Sequence, residues 1–398
     1  MHPDPIARIL RFVRSNNSTY AADGVCPPED VPTDLRQVLT PAGQLIGKPS
    51  LSDSELLDLH RAMARQRQID DRMLQLQRQG RIGFYGACTG QEASVFGTTA
   101  ALRATDWIVP ALREAGALLY RGLPLSTYFN QLLGNRDDIT QGRQMPCHPP
   151  GHDYRYVTMS SCIANQIPQA NGLGLAAKLK GSEDVTMCFM GDGATSEGDF
   201  HVGLNVASVQ QLPVVFVCQN NQWSISVPVG CQTAASSMAV KAAGYGMPGL
   251  RVDGNDVLAV HQATTEAAER ARSGNGPTFL ECLTYRLGAH TTSDDPSRYR
   301  DEDVTKRWWE RDPIVRTGLY LRKAGLWSEP EEETFRQEVD QEIRSCWSEV
   351  EETPAPELGS LFDDVFAHRT PRLQEQAESL EAHVQWAGRK GFELPSHH

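Results

Sequence analysis

The sequence predicts an α/β fold in which helices flank a parallel sheet. This prediction is based on two apolar segments that lie on either side of one predicted helix. Residues 185–190 and 214–218 are short and almost wholly apolar, which is typical of strands buried on both faces. Between them, residues 196–211 carry apolar side chains at spacings that favour a crossover helix, and Pro213 ends that helix. A strand, a helix and a second strand in this order form a βαβ unit, whose two strands are parallel.

Polar residues follow both predicted strands. Gly191-Asp192-Gly193 comes after the first strand, and Asn221 comes after the second. Because ligands of α/β sheets bind beyond the carboxyl ends of the strands, we expect Asp192 and Asn221 to lie side by side at one crevice. Carboxylate and amide oxygens suit Mg²⁺ or Ca²⁺, glycines let the backbone approach a ligand, and a following helix N-terminus favours phosphate. The segment therefore predicts a site for a metal-bound diphosphate.

A dinucleotide-binding loop is the main alternative for this segment. Gly191, Gly193 and Ser196 nearly fit the G-x-G-x-x-G pattern. However, the loop contains an acidic residue, and the second strand leads into Gln219-Asn220-Asn221 and not into the acid that would hold a ribose. The paired motif favours the metal-diphosphate interpretation.

The same segment resembles a known family. Its GDG followed by NN is similar to the thiamine diphosphate motif of the transketolase-like enzymes. The sequences GDGATSEGDF and NNQWSIS are more similar still to the alpha subunits of the decarboxylase components of 2-oxo acid dehydrogenase complexes, especially the branched-chain type. The resemblance implies the thiamine diphosphate-binding (transketolase-like) fold, with thiamine diphosphate and Mg²⁺ as cofactors. It also implies oxidative decarboxylation of a branched-chain 2-oxo acid, with transfer of the acyl group to a lipoyl group.

The resemblance implies a set of site residues. Arg113 would contact the diphosphate, a task that suits a bidentate guanidinium. Asp192, Asn221 and the backbone carbonyl of Trp223 would hold Mg²⁺. The cofactor-binding residues that the resemblance implies are Arg113, Ser161, Ile163, Gly191, Asp192, Gly193, Ala194, Asn221, Trp223, Ser224 and His290.

Two of these residues belong to the pyrimidine side of the cofactor. By resemblance, Ser161 and Ile163 would meet the aminopyrimidine ring, and the apolar Ile163 would wedge under the cofactor and bend it. Ser161 and Phe84 would also border the substrate pocket. For Phe84, plain core packing is an equally good explanation, since buried aromatic residues often have no other role.

His290 is the predicted catalytic residue. It lies in residues 286–300, which resemble an active-site loop of the family, and an imidazole there would donate a proton to the developing oxyanion of the substrate. A lone histidine is more often structural, but the loop match favours the catalytic interpretation.

Three positions depart from the family pattern. Ala111 stands where relatives have a polar or aromatic residue, and Leu112 stands where they usually have tyrosine. Gln219 occupies a position at which some relatives carry arginine. One phosphate hydrogen bond is therefore missing or comes from elsewhere. These departures also raise an alternative function: the chain could be a non-catalytic binding or regulatory protein with the same fold.

Composition bounds the function further. The chain has 398 residues and a net charge of -12, so it can bury a large core and has no basic excess for a nucleic acid or an anionic membrane. The nine cysteines form no C-x-x-C pair. We expect a reducing compartment without disulfides, and this acidity is ordinary for a cytoplasmic enzyme.

The chain is predicted to have three parts. Residues 1–50 form an N-terminal arm, in preference to a short transit peptide. Residues 51–320 form the α/β domain that binds the diphosphate side of the cofactor, beginning with a capping box at Ser52 and Glu55. Residues 321–398 form a helical C-terminal region and tail. Its apolar stripe Phe335, Val339, Ile343 and Trp347 fits an intrachain core or a subunit contact equally well.

The family resemblance also predicts partners. In transketolase-like enzymes the glutamate that activates the cofactor belongs to a second α/β domain, and the matched motifs cover only the diphosphate-binding half, over about residues 81–300. A separate beta subunit would complete the site in an α₂β₂ assembly, and a lipoyl-bearing acyltransferase would take the acyl group. Pyruvate or acetoin is the alternative to a branched-chain substrate.

Overall fold

The computed structural model describes residues 35–391. The first part of the predicted arm, residues 1–34, and the end of the predicted tail, residues 392–398, lie outside the described residues. The structure therefore does not test whether the N-terminal residues form an arm or a transit peptide. The part of the arm that is described lies against the sheet, where Arg36 forms an isolated parallel bridge with Val252. Main-chain amides of Val38 and Leu39 donate to the Asp256 carboxylate, at 2.7 Å each.

A five-stranded parallel sheet forms the centre of the fold, in the order β1-β2-β3-β7-β6. The α/β prediction is confirmed, because every neighbouring pair in this sheet is parallel. A short antiparallel pair, β4-β5, lies outside it. The strands are β1 Trp107–Val109, β2 Thr186–Gly191, β3 Val214–Asn220, β4 Trp223–Ser224, β5 Val227–Pro228, β6 Gly249–Asp253 and β7 Thr278–Leu283.

Helices flank the sheet and continue to the C-terminal end of the described chain. The predicted crossover helix is α6, and it joins β2 to β3 as the βαβ pattern requires. The helices are α1 Asp53–Arg78, α2 Glu92–Ala100, α3 Ala115–Tyr120, α4 Leu125–Leu133, α5 Gln166–Lys180, α6 Gly198–Val209, α7 Val257–Arg272, α8 Glu302–Trp309, α9 Pro313–Lys323, α10 Glu329–Glu351 and α11 Pro371–Arg389.

The capping box predicted at the start of α1 is confirmed. The amide of Glu55 donates to the Ser52 hydroxyl, and the Ser52 amide donates back to the Glu55 carboxylate at 2.8 Å. These bonds satisfy amides that have no partner within the helix. In α1 the buried apolar positions recur on one face, which packs against α2 and α10.

The two faces of the sheet bury different hydrophobic clusters. Along β3, Val215 and Val217 belong to the larger cluster, while Val214, Phe216 and Cys218 belong to the second. This alternation follows from the strand geometry, in which successive side chains point to opposite faces. Both faces are covered, which explains why β2 and β3 are apolar along most of their length.

The C-terminal apolar stripe packs inside the chain. Val339, Ile343 and Trp347 of α10 are buried in the larger cluster, Phe335 is half-buried against it, and α10 contacts α1 and α4. Of the two interpretations left open by the sequence, the structure shows the intrachain core. The larger cluster thus contains residues from both sides of position 320, and the division of the chain at that position stays a prediction.

Within residues 35–391, no helix combines the length and the apolar character that crossing a membrane requires.

Replacement of Trp347 by alanine tests the contribution of α10 to the core. Trp347 is 3% exposed, and its ring lies 5.7 Å from that of Phe129. We expect Trp347→Ala to lower the free energy of unfolding by about 3–5 kcal/mol, because a buried aromatic ring leaves a cavity. Trp309→Ala, at a half-exposed tryptophan, should cost less than about 1 kcal/mol. Denaturant unfolding measures both, and equal costs would contradict the packing described.

Candidate active site

Asp192 and Asn221 lie at the same edge of the sheet. Gly191 at the end of β2 is in register with Gln219 of β3, so the residues that follow the two strands leave the sheet together. Both side chains are buried, at 1% and 7% exposed. The structure therefore places the two oxygen donors of the predicted metal site at the carboxyl ends of adjacent parallel strands, where α/β sheets bind ligands.

Neighbouring polar groups fix the orientation of the Asn221 amide. Its Nδ2 donates to Oε1 of Gln91 at 3.0 Å, and its Oδ1 accepts from the Trp223 amide at 3.1 Å. An amide oxygen has two lone pairs, so Oδ1 retains one for a cation. Gln91 is buried, and its Nε2 has no hydrogen-bond partner among the described residues. A buried donor of this kind is suited to bond an incoming anion or polar ligand.

The loop after Asp192 is packed closely against β4. A Cβ placed on Gly193 would lie 2.4 Å from Oγ of Ser224, so only glycine fits between these two segments. Ala194 is buried in the second hydrophobic cluster. Gly193 and Ser224, which both belong to the predicted cofactor set, are therefore in direct contact. Ala194 anchors the loop to the second hydrophobic cluster.

Arg113 and His290 are in contact. Arg113 Nη2 lies 3.2 Å from Nδ1 of His290 and donates to the His290 carbonyl at 2.7 Å, while Nη1 donates to the Ala87 carbonyl at 2.5 Å. A second guanidinium, that of Arg286, lies 3.3 Å from the same ring nitrogen. Arg286 also bonds the carbonyls of Trp223 and Ile225, at 3.4 and 2.6 Å.

These neighbours determine the protonation state of His290. Burial, together with the positive charges of Arg113 and Arg286, lowers the pKa of the imidazole to about 4, against a smaller upward effect of Asp294. Because guanidiniums only donate, Nδ1 must accept from them, and the proton of the neutral ring is then on Nε2. His290 is thus a neutral imidazole that can donate from Nε2.

The two arginines make the site suited to an anion. Burial and the charge of Arg286 lower the pKa of Arg113 to about 10, and burial lowers that of Arg286. Nε of Arg286 is buried without a hydrogen-bond partner among the described residues. Two adjacent buried guanidiniums, one with an unused donor, fit the negative charge of a diphosphate.

Asp192 makes the site suited to a cation. Burial raises the pKa of its carboxyl to about 6, although Gln232 donates to Oδ2 at 3.1 Å and Arg286 attracts its charge. The protein therefore compensates this carboxylate incompletely. A hard divalent ion bound by Asp192, Asn221 and the Trp223 carbonyl would supply the missing charge, and the three oxygens are of the type that Mg²⁺ prefers. The carbonyl retains a second lone pair beside its weak bond to Arg286.

Ser161 and Ile163, the residues predicted for the pyrimidine side of the cofactor, are less buried than Asp192 and Asn221. Ser161 lies 2.7 Å from Nε2 of His148, whose Nδ1 lies 2.9 Å from the Pro146 carbonyl. Ile163 is 62% exposed and belongs to none of the buried clusters. The expected wedge under the cofactor is therefore not packed within this chain. Phe84 is half-buried and packs on the larger cluster, so its packing role is observed and its substrate role stays a prediction.

Sequence reasoning missed several residues that contact the predicted set. Gln91 and Gln232 contact the predicted set from segments that are distant in the chain, so no local pattern reveals them. Glu114, His148 and Arg286 are nearer in sequence, but their contacts depend on how the loops fold. Arg286 was visible in the predicted active-site loop, and Gln219 was noted only as a departure. The missed residues are Gln91, Glu114, His148, Gln232 and Arg286.

A parallel sheet with polar and charged side chains at the carboxyl ends of its strands is the arrangement in which α/β enzymes bind ligands. The chain belongs to the dehydrogenase E1 component family, whose profile matches residues 60–359. It is 40% identical over 358 residues to the human 2-oxoisovalerate dehydrogenase subunit alpha, mitochondrial, covering 89% of this chain and 80% of the relative. It is 44% identical over 348 residues to the 3-methyl-2-oxobutanoate dehydrogenase subunit alpha of Mycobacterium tuberculosis, covering 87% and 92%. It is 40% identical over 332 residues to 2-oxoisovalerate dehydrogenase subunit alpha 1, mitochondrial, of Arabidopsis thaliana, covering 83% and 70%.

Titration of His290 tests the electrostatics of the site without cofactor. We expect its pKa to lie near 4, so that the ring is neutral from about pH 5 upward. Arg113→Met should raise the pKa toward the ordinary 6.5, because it removes one positive neighbour, and Asp294→Asn should lower it. Nuclear magnetic resonance of labelled histidine rings gives the values. Shifts of the same sign in the two variants would contradict the arrangement.

Proposed function

We propose that the chain is the alpha subunit of a thiamine diphosphate-dependent 2-oxo acid dehydrogenase component, which oxidatively decarboxylates a branched-chain 2-oxo acid and passes the acyl group to lipoamide. The observation that carries the proposal is the pairing of charges at the edge of the sheet. The buried, incompletely compensated carboxylate of Asp192 interacts with the buried guanidinium of Arg286, which in turn neighbours that of Arg113. A magnesium ion bound to a diphosphate supplies both missing charges.

In this proposal the chain holds the cofactor by its diphosphate. Asp192, Asn221 and the carbonyl of Trp223 bind Mg²⁺, and Arg113 donates to phosphate oxygens. Gly193 lets the backbone come close, as the narrow space beside Ser224 requires. The unpartnered Nε2 of Gln91 adds a donor that compensates for the hydrogen bond that Leu112 does not supply.

His290 handles a proton in the proposed reaction. Thiamine diphosphate, when bound, supplies the nucleophilic carbon and accepts the electron pair that carbon dioxide leaves behind. The neutral His290 ring donates from Nε2 to the oxygen of the substrate as negative charge develops there. Arg113 and Arg286 make the imidazolium unfavourable, which keeps the ring neutral. Their positive charges at Nδ1 also stabilise the ring as it gives up the Nε2 proton.

The substrate class is proposed from the relatives. The human and Mycobacterium tuberculosis proteins are named for 2-oxoisovalerate and 3-methyl-2-oxobutanoate, two names for one branched 2-oxo acid. Phe84, half-buried against the larger cluster, and Ser161 are proposed to border the pocket for its side chain. The second candidate is pyruvate, which is decarboxylated in the same way without a branched side chain, or acetoin.

Partners complete the proposed site. Ile163 and the Ser161 segment are exposed or half-buried in this chain, where the pyrimidine half of the cofactor is proposed to bind. We propose that a beta subunit covers this surface in an α₂β₂ assembly and contributes the glutamate that activates the cofactor. A lipoyl-bearing acyltransferase then accepts the acyl group.

Replacement of Asp192 tests the metal assignment. Asp192→Ala should weaken magnesium-dependent binding of thiamine diphosphate on the order of a hundredfold or more, because it removes the one anionic ligand. The chain should remain folded, since an ionised carboxylate with a raised pKa opposes folding above about pH 6. The matched control is Asp199→Ala, at an exposed aspartate of α6. Calorimetry measures the affinity, and unchanged binding by Asp192→Ala would refute the assignment.

The activity of the purified chain, alone and with its partner, tests the proposed substrate and the proposed division of the site between two subunits. The chain alone should release no carbon dioxide from 2-oxoisovalerate, and co-expression with a beta subunit should restore turnover. The pair should prefer 2-oxoisovalerate to pyruvate in kcat/KM. Turnover by the chain alone would contradict the divided site, and preference for pyruvate would favour the second candidate. Cofactor binding without carbon dioxide release, with the partner present, would indicate a non-catalytic protein.

A further inference from the structure

Arg113 is held at both ends of its side chain. Its guanidinium is fixed by the carbonyls of Ala87 and His290, as described above. Its backbone belongs to residues 111–113, hereafter the Arg113 loop, which precede helix α3. The position of the guanidinium therefore depends on what holds the Arg113 loop.

One buried carboxylate holds the Arg113 loop. Oε2 of Glu114 accepts from the main-chain amides of Ala111, Leu112 and Arg113, at 2.7, 2.9 and 3.1 Å. Three consecutive peptide groups thus converge on one oxygen atom. Glu114 is 1% exposed, so no water can take over this role without a rearrangement of the core.

Gln219 in turn holds that carboxylate. Its Nε2 donates to Oε1 of Glu114, and its Oε1 accepts from the hydroxyl of Ser94 at 2.7 Å. Gln219 belongs to β3, the central strand of the sheet, and Ser94 belongs to α2. All three side chains are buried. The amide therefore connects the Arg113 loop to two rigid elements of the fold.

We propose that Gln219 is a positioning residue, which acts through Glu114 to hold Arg113 where its guanidinium meets the diphosphate. The inference rests on the proposed function for the identity of the anion, but the hydrogen bonds that it uses do not. An amide at position 219 is suited to this role because it donates to the carboxylate and accepts from a hydroxyl at once. Loss of the amide leaves Oε1 of Glu114 unpaired in the core, whereas the Ser94 hydroxyl keeps its bond to the Gln91 carbonyl at 2.8 Å. The Arg113 loop is then released from the strand.

The proposal is tested by combining two substitutions, Gln219→Met and Arg113→Met, in the full chain purified in the assembly in which it is expressed. Gln219→Met keeps the size of the side chain and removes both hydrogen bonds. We expect it to weaken the affinity for thiamine diphosphate with Mg²⁺ about tenfold, by calorimetry. In a chain that already carries Arg113→Met, Gln219→Met should weaken the affinity by less than about a further twofold, because Gln219 acts through Arg113.

The control and a second measurement separate positioning from a general loss of structure. Asn171→Leu removes a buried amide that joins α5 to the Gly203 carbonyl of α6 at 2.8 Å, and it should leave the affinity within about twofold. Without cofactor, amide hydrogens of the Arg113 loop should exchange about tenfold faster in Gln219→Met than in the original chain. That exchange does not depend on which anion the site binds.

The outcomes are distinct. Equal losses of affinity from Gln219→Met in both backgrounds would overturn the proposal, because they would show that Gln219 acts independently of Arg113. Unchanged affinity and unchanged exchange would overturn it as well. Failure of the original chain to bind thiamine diphosphate would overturn the proposed function alone, since faster exchange of the Arg113 loop would still support the positioning role.

Discussion

The burial of charged groups that the chain compensates incompletely is the constraint on which the site depends. Arg113 and Arg286 both lie next to Nδ1 of His290, and the acceptors described for their guanidiniums are carbonyls, a ring nitrogen and a phenol. Asp192 is a buried carboxylate whose pKa is raised to about 6. Each charge is costly in isolation, and a ligand that carries both signs, a metal ion bound to a diphosphate, reduces the cost of all three.

The rest of the fold supports this arrangement through backbone and amide groups. The parallel register of β2 and β3 carries Asp192 and Asn221 to one edge, and Gln91 fixes the orientation of the Asn221 amide. On the other side, Glu114 gathers three peptide amides in front of α3 and is itself bonded by Gln219. Gln91, Glu114 and Gln219 do not react themselves, but they restrict the positions of the side chains proposed to bind the ligand. Because those side chains are already ordered, less conformational entropy is lost when the ligand binds.

The exposed side chain of Ile163 lies where, in the proposal, a partner subunit completes the site. Most residues of the predicted cofactor set lie at the buried edge of the sheet, whereas Ile163 is 62% exposed. An apolar residue proposed to press on a cofactor ring needs a surface on the opposite side of that ring. In the proposal, the partner subunit supplies that surface, so the binding energy of the cofactor also contributes to the association of the two chains.

The sequence by itself determined the elements and the family. The apolar runs before Gly191 and Asn220 and the capping box at Ser52 all formed as predicted, because burial on both faces and local capping are encoded by neighbouring residues. The βαβ order also fixed which residues leave the sheet together, and with them the position of Asp192 and Asn221.

Only the tertiary structure decided the contacts between distant segments. The apolar stripe of α10 fits a core or an interface equally well until its neighbours are known, and it packs inside the chain. The lowered pKa of His290 depends on burial and on Arg113, which is 177 residues away in sequence. The role of Gln219 depends on Glu114, at a separation of 105. Electrostatic and hydrogen-bonding effects act over a few ångströms of space, so a linear pattern cannot reveal them until folding brings the partners together.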